Sequence, residues 1–204
     1  MGRRTLLASQ IDVNPDFEET ELDDREREVL KILASEQNAY FSFQGLRRRL
    51  GYHQETLTRA LRRLEEAEVI ERTPEGYKAK SPSSTFSFTV HTNATFGKPI
   101  IDAYLPSSVD VTILFQRLRG RWFGDFRWLG YSQDGDQLSM SWISEDGQLQ
   151  LQARIGGGKI VVAAEATGEK DETRSIQAAY QLFDHVSKIA EEMVENLTST
   201  PVAN

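Results

Sequence analysis

Between His53 and Lys80 the chain gathers side chains suited to hydrogen bonding with base edges and phosphates. Gln54, Glu55, Thr56 and Arg59 come first, then Arg62, Arg63, Arg72 and Lys78. Arg pairs naturally with guanine, Gln with adenine, and Glu with the cytosine amino group, while further cations hold phosphates and set the register. The same stretch places Leu57, Ala60, Leu61 and Leu64 at the i, i+3, i+4, i+7 spacing of one helix face, so the polar residues fall largely on the rest of the cylinder.

Other chemistries find less support. The three histidines, His53, His91 and His185, have no second histidine or carboxylate at a recognised metal-ligand spacing. With no cysteine there is no disulfide, thiolate nucleophile or thiolate metal site, which fits a reducing cytoplasm. Gly156-Gly157-Gly158-Lys159 lacks the spacing of a phosphate loop and reads as a hairpin turn, as does the Asp134-Gly135-Asp136 fragment. Asn93 and Asn196 head glycosylation-type triplets, but no secretion signal supports that use. These readings imply no cofactor, no metal and no catalytic residue. One cluster keeps three readings open. Arg117, Arg119, Arg121 and Arg127 interleave with Trp122, Phe126 and Trp128. The aromatics could be core with arginines along their edges. Alternatively Arg117, Arg121, Trp122, Arg127 and Trp128 could contact a ligand or partner, or the patch could stack bases and neutralise phosphates.

The elements that must position the 53–80 residues follow from punctuation. Gln44 to Leu50 is a short helical run closed by Gly51, and three consecutive arginines in it, Arg47, Arg48 and Arg49, cannot share one helix face, so one or two of them, with Arg47 and Arg48 as candidates, should meet phosphates. Two short helices with small polar and Arg residues early in the second suit major-groove reading. Val69-Ile70, the Pro74-Glu75-Gly76 turn and Tyr77 to Lys80 make a hairpin. Upstream, Leu22 to Glu36 forms a helix opened by an Asp23/Glu26 capping box, with Val29, Leu30, Ile32 and Leu33 inward, and Tyr40 to Phe43 is an extended link suited to pairing with a hairpin strand.

This arrangement resembles the DNA-binding half of prokaryotic winged-helix regulators of the MarR/ArsR kind. The residues that carry the likeness are Leu50-Gly51, His53, Thr56-Leu57-Thr58-Arg59, Leu61 and Leu64, Val69-Ile70 and Arg72. Two positions depart: Ala67-Glu68 stands where the family often has Gly, and His53 replaces the usual Ser/Thr helix cap. The resemblance implies a winged helix-turn-helix over about residues 22–80, entering the major groove of double-stranded DNA with the helix 53–64. Winged helices also serve as protein-binding modules, so fold alone does not decide between the two uses.

The 204 residues carry a net charge of −7, unevenly spread. Residues 1–39 are net −5, residues 40–80 net +3, and residues 81–204 net −5. An acidic remainder suppresses non-specific phosphate binding by a basic patch. No run of about 18 apolar residues is present, so no membrane span is expected.

The expected organisation is a flexible acidic arm over 1–21, the winged helix over 22–80, a Ser-Pro-Ser-Ser linker at 81–84, an α+β sensing or dimerisation unit over 85–197, and a tail over 198–204. In that unit Thr85 to Thr92 alternates as a half-buried strand, and Pro99 to Leu105 extends it or forms a further strand. Val109 to Leu118 reads as a helix with Ser108 as cap. A meander follows over Phe126–Tyr131, Gln137–Ile143, Gln148–Ile155 and Lys159–Ala166, one face buried and the other polar. The long helix Asp171 to Leu197 carries a wide apolar stripe that packs across this sheet, mediates a dimer, or does both. The order of elements resembles the TBP-like or helix-grip topology, with no sequence motif behind the likeness.

The expectation is therefore an α+β, sequence-specific DNA-binding regulator and no enzyme, acting as a homodimer with a possible small-molecule effector. Two alternatives stay open: a winged-helix interaction module of transcription or replication machinery, and a small-molecule-binding helix-grip protein.

Overall fold

The computed structural model describes residues 22–35, 38–80, 96–166 and 172–198. The acidic arm, the 81–84 linker, the Thr85–Thr92 strand and His91 lie outside the described residues. Helix α1 spans Asp24–Ala34, strand β1 Ala39–Phe41, α2 Phe43–Leu50, α3 Gln54–Glu66, β2 Ile70–Thr73 and β3 Gly76–Ala79. Then come β4 Lys98–Tyr104, α4 Val111–Leu118, β5 Phe126–Asp134, β6 Gln137–Ser144, β7 Leu149–Gly156, β8 Lys159–Ala166 and α5 Glu172–Thr198.

Local chemistry accounts for the boundaries. The α1 capping box is complete: Asp23 Oδ1 accepts from the Glu26 N–H at 2.8 Å, and Glu26 Oε2 from the Asp23 N–H at 3.0 Å. Ser42 caps α2 through the Gly45 N–H at 3.0 Å, and Gly51, with φ +67°, ends that helix in the left-handed region. His53 is the N-cap of α3 without a side-chain hydrogen bond. The cap of α4 is Asp110 rather than Ser108; its carboxylate accepts from the N–H groups of Thr112 and Ile113.

All pairings in the eight-stranded sheet are antiparallel, in the order β2-β3-β1-β5-β6-β7-β8-β4. The wing hairpin β2–β3 and the meander are thus one sheet, joined through the three residues of β1. Phe41 lies opposite both Tyr77 of β3 and Gly130 of β5. Helices α4 and α5 cover one face over a core that includes Trp128, Met140, Trp142, Leu151 and Val162, with Leu182 and Val186 from α5. Helices α1 to α3 cover the other face at the wing end, over Phe41, Leu46, Leu57 and Ile70.

Leu129 and Ile143 of the meander belong to this second core. Helix α2 runs across that face from β5, where a Cβ on Gly45 would lie 2.7 Å from Leu129 Cα, toward β8, where Arg49 pairs with Glu165 at 3.9 Å. The second face is polar in type, as expected, but part of it is shielded: Ser141, Gln150 and Gln152 are buried, while Ser139 and Arg154 are half-buried and Glu165 is exposed. The alternation of types along the strands is as read, but α2 replaces water over the β5–β6 part of the second face.

Helix α5 packs on β8, β4 and β7 of its own sheet through Ala178, Ala179, Leu182, Val186, Ala190 and Met193, while Ile176 and Tyr180 remain exposed. The helix, four-stranded meander and long terminal helix follow in the expected order as α4, β5 to β8 and α5, and β4 ahead of them falls on the Pro99 to Leu105 segment, the Thr85–Thr92 strand lying outside the described residues. Among the described residues no helix is long and apolar enough to cross a membrane.

Candidate nucleic-acid interface

The amphipathic pattern of α3 determines what it presents. Leu57, Ala60, Leu61 and Leu64 are buried against α1 and the wing, which leaves Gln54, Glu55, Thr58, Arg59 and Arg62 exposed and Thr56 half-buried. Between the first turns of α3 and the wing lies an open groove. Its walls are Gln54 and Thr58 on α3, Ser42 and Phe43 at the start of α2, and Arg72, Thr73, Pro74, Glu75 and Tyr77 on the wing. The wing turn is short, with Thr73 directly opposite Gly76 and Pro74-Glu75 between them.

The cations sort into distinct roles. Arg59 and Arg72 are exposed and enter no ion pair among the described residues; Arg72 lies 5.9 Å from the Tyr77 ring centroid. Arg62 bonds Glu66 at 2.8 Å along the helix surface. Arg63 instead reaches the buried carboxylate of Glu26 on α1 at 3.0 Å, and that hydrogen bond holds its guanidinium above the usual range. Lys78 lies on the sheet face opposite α3, since its neighbour Tyr77 faces the α3 side with Phe41. It sits 5.3 Å from the Tyr40 ring centroid and pairs with Glu71 at 3.4 Å. Burial alone would lower the Lys78 pKa, but Glu71 and Tyr40 raise it overall.

The arginine triplet of α2 turns largely toward the meander. Arg48 is pulled below its usual range by burial and by the nearby charges of Arg47 and Arg127, against the pull of Glu145. Arg49 pairs with Glu165. Arg47 is half-buried. The physical reason is that α2 is the helix that docks on the meander, so Arg49 meets Glu165 there and Arg48, bonded to the Gln44 carbonyl, lies in the field of Glu145.

The arginine-aromatic cluster divides in the same way. Trp128, Phe126 and Trp142 are core, and the Trp142 indole N–H donates to the Arg121 carbonyl at 3.0 Å. Trp122, by contrast, is 60% exposed and lies over Arg127, whose Cζ is 4.6 Å from its ring centroid. Arg127 is ion-paired with Glu145, and Arg117 with Glu192 of α5 at 3.5 Å. Arg121 is exposed. His185, stacked on Phe123 at 5.6 Å, is held below its ordinary pKa by burial.

Ser42, Phe43, Thr58, Glu75 and Tyr77 were not singled out as site residues from sequence, yet they line the groove. Thr58 carried a signal, since it stands four residues after Gln54 and so one helical turn away; its Oγ1 donates to the Gln54 carbonyl at 2.8 Å.

Two packed helices with a two-stranded wing define a winged helix-turn-helix. Residues 22–75 match the MarR family, whose members are regulators rather than enzymes, and the match suggests a DNA-binding transcription regulator. No curated protein and no solved structure matches the chain. The TBP-like or helix-grip likeness of the C-terminal half rests on element order alone.

Proposed function

We propose that this protein is a sequence-specific, double-stranded DNA-binding transcription regulator that reads the major groove with α3. The carrying observation is the exposed side of that helix, where Gln54, Glu55 and Arg59 stand opposite its buried leucines. Arg59, Gln54 and Glu55 read base edges, with Thr56 and Thr58 beside them. Arg72 and Arg62 hold phosphates on either side. One winged helix makes a small footprint, so two copies on a palindrome complete the site. The exposed Ile176 and Tyr180 on α5 give such a dimer an apolar contact. A small-molecule effector acting on the C-terminal half is part of the same reading.

Arg59→Ala is the discriminating variant. On a duplex selected from a randomised pool it costs roughly 1–3 kcal/mol and relaxes preference at one base pair. Fluorescence anisotropy with the selected duplex and its single-base variants measures both effects. An unchanged affinity and an unchanged preference would contradict the assignment of α3 as the reading helix. A carboxylate in the groove, Glu75, favours the second reading, in which the same surface binds a basic protein partner. That reading predicts no salt-sensitive DNA binding.

A further inference from the structure

The wing end of the groove poses an electrostatic problem. Glu75 lines it at the turn, where a phosphate backbone would run, and a carboxylate there repels phosphate. The compensating cation comes from the C-terminal half of the chain. Arg119, the residue that ends α4, places its Nη2 3.8 Å from Glu75 Oε1. Its guanidinium lies 5.6 Å from the Tyr131 ring centroid and 6.0 Å from that of Phe115. Tyr131 is in turn stacked on Tyr40 of β1 at 5.1 Å, and β1 pairs with the wing strand β3. The arginine is therefore positioned against the wing by the continuous sheet and not by a loop alone. The pair itself is long, and both side chains are about a third or more exposed, at 39% and 34%. Such a pair is weak, whereas a guanidinium binds phosphate with two parallel hydrogen bonds.

From this geometry we infer that Arg119 is a DNA-backbone contact contributed by the C-terminal half, and that Glu75 restrains it and so limits affinity. The inference rests on the DNA-binding reading above. In the DNA-bound state Arg119 exchanges the Glu75 carboxylate for a phosphate. In the unbound state the pair leaves the wing turn close to neutral.

The test uses the full chain, a fixed duplex selected by the parent protein, and anisotropy titrations over a series of salt concentrations. Glu75→Gln tightens binding roughly two- to fivefold, the span of one exposed ion pair, and Arg119→Gln weakens it by a similar factor. Glu75→Gln also steepens the salt dependence by about one phosphate contact, and the double variant E75Q/R119Q returns the slope to that of the parent. Opposite signs for the two single variants support the inference. If both variants weaken binding, the pair only tethers the wing and the inference is overturned. If the parent binds and Glu75→Gln changes neither affinity nor slope, the inference also fails, while the DNA reading stands. A parent protein that selects no duplex at low salt overturns both. Glu75 is a surface side chain on a turn, so its variant keeps the test decisive should Arg119→Gln disturb folding.

Discussion

At the scale of single residues, the structure separates arginines that sequence treats alike. Arg63 and Arg59 lie one helical turn apart, yet Arg63 is committed to Glu26, a carboxylate only 2% exposed that also closes the α1 capping box. Arg63→Ala leaves that carboxylate buried without its cation, and removing one partner of such a pair is destabilising. The variant is expected to lower the melting temperature while the folded protein keeps its DNA affinity; thermal unfolding and anisotropy on one preparation check both. Asp146 offers a second residue-level expectation. Burial would raise its pKa, but hydrogen bonds from Ser144, the Gln148 N–H and Arg174 outweigh burial and bring it from the ordinary 3.8 to about 2. A carboxylate depressed on folding contributes stability that is present above its unfolded pKa and lost as pH falls through its folded one. Denaturant midpoints should therefore decline between about pH 4 and pH 2. In Asp146→Asn that decline is smaller, and an identical pH profile would refute the assignment. Neither pairing was legible in sequence, because 37 positions separate Glu26 from Arg63 and 28 separate Asp146 from Arg174. Helical spacing displayed the face of α3, but it carries no information on which cation finds a distant carboxylate.

At the scale of elements, the strongly periodic segments were readable. The α3 stripe, the wing turn, the meander with its Gly-containing turns and the long α5 all follow from spacing and turn chemistry. The extended link at Tyr40 to Phe43 was also readable as a partner for the hairpin, and β1 does pair with β3; its second pairing, with β5, was not, since three residues carry no period that would show a second neighbour. Its pairing depends on Gly130, where a Cβ would lie 2.1 Å from the Tyr40 carbonyl oxygen. No other residue type lets β1 approach β5 this closely, and that requirement is visible only once the strands are side by side. Gly130→Ala is expected to cost about 1–3 kcal/mol through this overpacking, read as a lower urea midpoint. A midpoint equal to the parent's would show that the junction yields without strain.

At the scale of the whole molecule, the winged helix and the C-terminal half share a sheet and a core. Leu129 and Ile143 sit among Leu46, Leu57 and Phe41, so cutting the chain after Lys80 strips two buried side chains from the N-terminal core. The full chain is expected to unfold in one cooperative transition, and a 22–80 fragment to be markedly less stable or unfolded, as circular dichroism with urea would show. Two separate transitions, with a fragment as stable as the parent, would mean that the halves fold independently. The same continuity bears on function, because the C-terminal half reaches the wing through Arg119 and the β1–β5 pairing. Charge follows the same division, with the positive stretch of residues 40–80 set in a chain of net charge −7. The most direct test of DNA reading is selection from a randomised duplex pool at two salt concentrations, with the bound fraction sequenced. The account predicts a palindromic motif, with affinity falling steeply as salt rises. No enriched motif and no binding near physiological salt would contradict it and assign the groove to a protein partner.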